Sequence, residues 1–170
     1  MVDTALIQVR HAPRPTGLTG ARETVDKRTG LVTETGYLKN LFVRYDPAGV
    51  LYVRGSLPAY LRDSNVETMT RLEIQKAILR LAARLGFDPH FARVFQLDLA
   101  ATMLMPRPVA CYKSVLGSAR GFERSLFKGT VIYSHTLRSL VVYDKAREAG
   151  VKGNLLRFEV QFIKLSLIHI

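Results

Sequence analysis

The chain has 170 residues, 48% hydrophobic and 23% charged, which fits one globular domain with a proper apolar core and excludes a disordered chain. Its formal net charge of +11 points to an anionic partner, most often nucleic acid. The single cysteine, Cys111, excludes an internal disulfide and a cysteine-based zinc site. No apolar signal segment follows Met1-Val2-Asp3 and no run approaches the ~20 apolar residues of a membrane span, so no membrane partner and a cytoplasmic setting are expected.

Residues 4–10 read as a first strand, and 11–27, rich in Pro, Gly, Thr and Arg, as a loop or irregular edge. Residues 37–45 and 50–54 predict a hairpin across Asp46-Pro47-Ala48-Gly49, whose residue types suit a type I turn. Residues 55–61 leave the sheet. A helix follows: Thr70 and Glu73 form a capping box, Ile74, Ile78, Leu81 and Leu85 recur at helical spacing, and Gly86 stops it. Lys76, Arg80 and Arg84 line a solvated basic face of that helix.

Residues 93–103 predict a strand with Phe95, Leu97, Leu99, Ala101 and Met103 on one face and Val94, Gln96, Asp98, Ala100 and Thr102 on the other. Pro106-Arg107-Pro108 breaks it, and 109–116 predict a short helix ended by Gly117. Residues 122–127 and 130–133 form a hairpin across Lys128-Gly129, a pair that favours positive φ. Residues 138–145 predict a strand, 146–153 a connector, and 154–164 the last strand. This order fits an α+β domain, an antiparallel sheet with helices packed on one face.

Three of these strands each have one apolar face, expected to bury against the helices, and one face carrying reactive groups. The latter are Gln96 and Asp98, then Ser139, Tyr143 and Lys145, then Arg157, Glu159 and Gln161. A phenol beside an ammonium is easier to ionise, and a phenolate is a nucleophile. If the polar faces align, two carboxylates, a phenol and a cation converge on an open sheet surface. Oxygen ligands of that kind suit Mg²⁺ or Mn²⁺, which polarises a phosphodiester. The same residues also fit plain structural ion pairs, Asp98 and Glu159 with Arg157 or Arg138 across strands.

The segments RVFQLDLAATM, LRSLVVYDK and NLLRFEVQF, in this order and spacing, together with Gly55-Ser56-Leu57-Pro58-Ala59-Tyr60, resemble the rolling-circle replication initiators of filamentous phages and related plasmids, the gene II/X type. The resemblance covers about residues 1–164. It implies an arrangement like that of the HUH nickases or the ferredoxin-like fold, and a bacterial host. It also implies a site-specific endonuclease-ligase: one strand of origin DNA, single-stranded or in a hairpin, is nicked, its 5′-phosphate is held on a tyrosine, and host replication machinery extends the freed 3′-OH. On the matching positions, Tyr143 is the nucleophile, Lys145 and Arg138 are the cations beside it, and Asp98 and Glu159 are the acidic positions, expected to bind the metal.

Gln96 stands where the family usually has Arg, and Ala59 where Lys is common. The His-hydrophobe-His motif of the wider nickase superfamily is absent, and His11, His90, His135 and His169 are scattered. Arg157, Gln96, Lys113, Arg120, Arg124 and Lys128 are candidate DNA contacts. Residues 165–170 resemble the translation of a sequencing adapter, which makes 1–164 a nickase domain truncated at its C-terminus. The competing readings are a non-catalytic basic module that stacks Tyr143 on a DNA or RNA base, and a structural phage protein.

Overall fold

A computed structural model gives the fold; the structure describes residues 2–67 and 69–169, with side chains through residue 162. The expectation about residues 165–170 therefore falls on side chains outside the described residues.

The strands are β1 (Val2–Val9), β2 (Thr19–Val25), β3 (Val32–Leu38), β4 (Leu41–Tyr45), β5 (Leu51–Ser56), β6 (Ala92–Leu104), β7 (Glu123–Phe127), β8 (Thr130–Ser134), β9 (Arg138–Asp144) and β10 (Leu155–His169). The helices are α1 (Leu57–Arg62), α2 (Arg71–Leu85), α3 (Val109–Ser114) and α4 (Lys145–Ala149). The strands form one antiparallel sheet in the order β2-β3-β4-β5-β1-β6-β10-β9-β8-β7, so the α+β class holds. Each half repeats one plan. The meander β2–β5 returns to lie beside β1, the meander β7–β10 returns beside β6, and β1 and β6 pair at the centre. No sequence repeat announces this, because pairing order depends on backbone bonds rather than on side chains.

Two apolar clusters hold the halves. One packs α1 and α2, through Leu57, Tyr60, Ala77, Leu81 and Leu85, against Ile7, Val9, Val43, Leu51 and Val53. The other gathers Val109 of α3 with Val131, Tyr133, Val142 and Leu156. The local signals for α2 are met. Thr70 and Glu73 exchange both capping-box bonds and Gly86 ends the helix at φ 73°. Lys128 and Gly129 both take positive φ, 46° and 79°, as their hairpin requires.

Four local readings are corrected. β2 lies within the stretch read as loop; every one of its residues is exposed, so it has no alternation to read, and Arg14 ties it to β3 by bonding Glu23 and Glu34. Residues 37–45 are two strands, because Lys39 turns the chain at φ 55°. Residues 57–62 form α1, its first turn capped by the Ser56 hydroxyl and carrying a proline. β9 stops at Asp144, whose carboxylate accepts the Arg147 N–H (3.0 Å) and starts α4.

The two faces of β6 also differ from expectation. The register with β1 slips at Phe95, where Leu6 faces Gln96 but Ile7 faces Val94, a bulge. Met103, expected on the face that buries against the helices, is exposed, whereas Asp98 is only 3% exposed. The polar face of the central strands is thus a covered surface, not an open one.

Candidate active site

Strand register brings the polar residues together. Tyr143 lies opposite Arg157, Val141 opposite Glu159, and Ser139 opposite Gln161. On the other side of β10, Asp98 lies opposite Gln161 and Ala100 opposite Glu159. Asp98 and Glu159 are therefore diagonal neighbours, with Cβ atoms roughly 7 Å apart. The Tyr143 hydroxyl donates to Glu159 Oε2 (3.1 Å). The Gln161 amide donates to Glu159 Oε1 (3.0 Å) and its carbonyl accepts from the Ser139 hydroxyl (3.0 Å). The Gln96 amide donates to Asp98 Oδ1 (3.1 Å). The convergence expected of Tyr143, Glu159 and Asp98 on one face is present.

The cations stand elsewhere than expected. Arg157, expected at DNA, is 1% exposed. Its guanidinium binds Asp3 (2.9 Å) and the Asn65 carbonyl (2.6 Å), and its Nε stands 4.0 Å from Glu159. Lys145, expected beside the phenol, opens α4 instead; its ammonium is fully buried between the Asn65 carbonyl oxygen of the side chain (2.9 Å) and Glu148. Arg138 occupies the alternate face of β9, opposite Phe162, and its guanidinium stacks on Phe122 at 5.5 Å. Neither is the cation beside Tyr143. Lys113 donates to the Gly129 carbonyl, and Arg120, Arg124 and Lys128 are exposed on or next to the β7–β8 hairpin.

Burial sets the electrostatics. Desolvation pushes the Tyr143 phenol well above the usual tyrosine range, and the Glu159 charge pushes it the same way. The expectation of an easily ionised phenol is reversed: its neighbour is a carboxylate, not an ammonium. Desolvation also raises Asp98 to about 6, against the lowering effect of the Gln96 bond and with further raising by Glu159 and Asp3. Gln96, standing where a cation was expected, leaves that acid under-compensated. Burial raises Asp3 as well, with Arg157 opposing.

Asp98 gives a signed prediction. Its folded pKa lies above the unfolded value of ~3.9, so the unfolded chain loses the proton first as pH rises. Stability therefore falls between about pH 4 and pH 6 on account of this group. Asp98→Asn keeps an acceptor for Gln96 and removes the charge. The variant is expected to be more stable at pH 7 by on the order of 2 kcal/mol, about 6 °C in Tm, with the gap closing below pH 4. Thermal melts across pH check this; a gap independent of pH would refute it.

Asp3, Asn65, Ser139 and Gln161 belong to the site's polar network as much as the predicted residues do. Asp3 lies just outside the stretch 4–10 read as the first strand, and is the one charged residue of β1. Asn65 had no signal, since its partners lie 80 and 92 residues away.

Among the described residues, no group of three or more His, Cys, Asp or Glu is gathered for a metal, and no helix is long and apolar enough to cross a membrane. The donor set nonetheless fits a hard ion: two buried carboxylates, Asp98 raised by burial first and by the Glu159 charge after it, in the number that Mg²⁺ takes from protein when phosphate and water supply the rest.

No protein-family model matches this sequence, and no curated protein does. Among solved structures, the chain is similar to the rolling circle replication initiator protein from Geobacillus stearothermophilus, with a TM-score of 0.50 and 12% identity, over 97% of this chain and 74% of that one. At that identity the likeness is one of fold.

Proposed function

We propose that this chain initiates rolling-circle replication of a phage or plasmid as a site-specific single-strand DNA endonuclease-ligase. The observation that carries the reading is the hydrogen bond from Tyr143 to Glu159, set on a fold shared with a rolling circle replication initiator. The raised phenol pKa makes an adjacent base necessary, and Glu159 is in bonding reach of the proton. Glu159 takes the proton as the phenolic oxygen forms a bond to phosphorus. The bond from phosphorus to the 3′-oxygen breaks, and that oxygen takes a proton from solvent water to become the 3′-OH. The 5′-phosphate remains as a tyrosine ester. The ester keeps the bond energy, so attack by a 3′-OH rejoins the strand without ATP.

Asp98 and Glu159 would hold Mg²⁺ or Mn²⁺. Bound there, the ion would offset negative charge developing on the phosphate. Arg120, Arg124 and Lys128, exposed on or beside the β7–β8 hairpin, would contact the backbone of origin DNA. Host replication proteins would then act on the freed 3′-OH.

The test is a denaturing gel after incubation with single-stranded DNA and Mn²⁺. A covalent protein–DNA adduct mapped to a peptide containing Tyr143 is expected; an adduct at another residue, or nicking with none, overturns the assignment. The second reading, a basic nucleic-acid-binding module, draws on the internal pairing of Arg157 and Lys145, and is favoured by salt-sensitive binding with neither adduct nor nicking.

A further inference from the structure

The far end of the same sheet face carries a cavity of about 350 Å³ lined by Gln8, Arg10, His11, His90, Phe91 and Arg93. Nothing in the site around Tyr143 uses these residues. Gln8 lies opposite Arg93, and two residues on Leu6 lies opposite Gln96, whose side chain bonds Asp98. The cavity and the acid pair are thus linked along β6.

Three features of the cavity are complementary to one nucleotide. Arg10 and Arg93 supply fixed positive charge for a phosphate. Phe91 is 68% exposed, a large aromatic face open to solvent. It ends a short 3-10 turn over Pro89–Phe91 whose first N–H bonds are taken by Asp88, which accepts from His90 at 2.9 Å. Gln8 is 9% exposed and donates to the Tyr52 hydroxyl (3.1 Å), yet its carbonyl oxygen is buried without a hydrogen-bond partner among the described residues. Such an orphan acceptor beside two arginines lacks a donor, and a base edge provides one.

We infer that this cavity is a single-stranded nucleotide subsite, with a base stacked on Phe91 and bonded by Gln8 and its phosphate held by Arg10 and Arg93. Arg93 and Asp98 are five positions apart on β6, roughly 15 Å at ~3.3 Å per residue. The subsite rests on the reading of the chain as a single-strand DNA enzyme. It makes the enzyme read a base away from the nick, in addition to the phosphate under attack.

The experiment measures binding without chemistry, by fluorescence anisotropy of a labelled mixed-sequence single strand of about 16 nucleotides, with the whole chain carrying Tyr143→Phe. Phe91→Ala added to it is expected to weaken binding about tenfold while duplex binding changes by less than about twofold, and Phe91→Trp is expected to restore it. Arg93→Ala is expected to weaken binding of both and to lower the salt slope by about one. Because Phe91 is exposed, its truncation leaves the melting temperature in place. Single-strand affinity unchanged by Phe91→Ala, or falling equally for duplex and single strand, overturns the subsite. Failure to find a phosphotyrosine adduct would overturn the nickase reading and leave this result standing, so the two failures are distinguishable.

Discussion

Tyr143→Phe is expected to abolish both nicking and the covalent adduct, with loss limited only by assay background, while single-strand affinity stays within about twofold. The substitution deletes one oxygen and nothing else. That oxygen is half-buried at the end of β9 and donates its hydrogen to Glu159 (3.1 Å). A hydrogen bond to a charged acceptor contributes about 1.5–3 kcal/mol net, so Tm is expected to drop by a few degrees, about 5 °C. Glu159→Gln separates the base from the nucleophile. It keeps an oxygen acceptor for the phenol and cannot take its proton. The expected result is nicking slowed by about 10²–10⁴, with any residual adduct still on Tyr143. Because the phenol is held above the ordinary tyrosine range, residual activity of that variant should climb with pH. Nicking by Tyr143→Phe at the parent rate would end the assignment.

Much of the fold was legible because its signals are local. Capping at Thr70 and Glu73, the stop at Gly86 and the turn at Lys128-Gly129 each follow from the conformational preferences of two or three residues. The edge strand β2 escaped because periodicity reports burial, and an edge strand exposed on both faces has none. The turn at Lys39 escaped for a related reason: Lys39-Asn40 sits between apolar residues on both sides and lacks the glycine that normally marks positive φ.

The site was legible in its acids and its phenol, and illegible in its cations. Alternation along β9, β10 and β6 is enough to place Tyr143, Glu159 and Asp98 on one face once the strands are neighbours. Lys145 follows Tyr143 by two residues, and the same alternation would set it beside the phenol. Asp144 caps a helix at that point instead, and the change of period carries the ammonium to Asn65 and Glu148. Arg157 is on the expected face, yet the α1–α2 connection and the start of β1 close over it. Depth of burial is a property of segments distant in sequence, so the shift from an open to a covered polar face, with its effect on Tyr143 and Asp98, could not be read from strands alone.

That covering makes Arg157 the stability-critical member of the group. Arg157→Ala is expected to destabilise the chain by about 3–5 kcal/mol, roughly 10–15 °C in Tm. The alanine removes the partner of Asp3, which is 5% exposed and already raised by burial. It also leaves the Asn65 carbonyl without its 2.6 Å donor, and Glu159 without its nearest cation. Two buried carboxylates and a partly buried carbonyl lose compensation from one truncation, and unpaired buried charge costs far more than the pair contributes. The double variant Asp3→Ala with Arg157→Met separates charge from packing. With both charges gone and the volume of the arginine stem largely filled, it is expected to recover most of the loss. Equilibrium urea unfolding of the parent, Asp3→Ala, Arg157→Met and the double variant closes the cycle that measures the coupling. A single variant within about 1 kcal/mol of the parent, or a double variant no better than the single, would show that Arg157 is held by packing alone. Recovery of stability without recovery of nicking would show that the same guanidinium also fixes Glu159 against Tyr143, joining a buried charge of the fold to its chemistry.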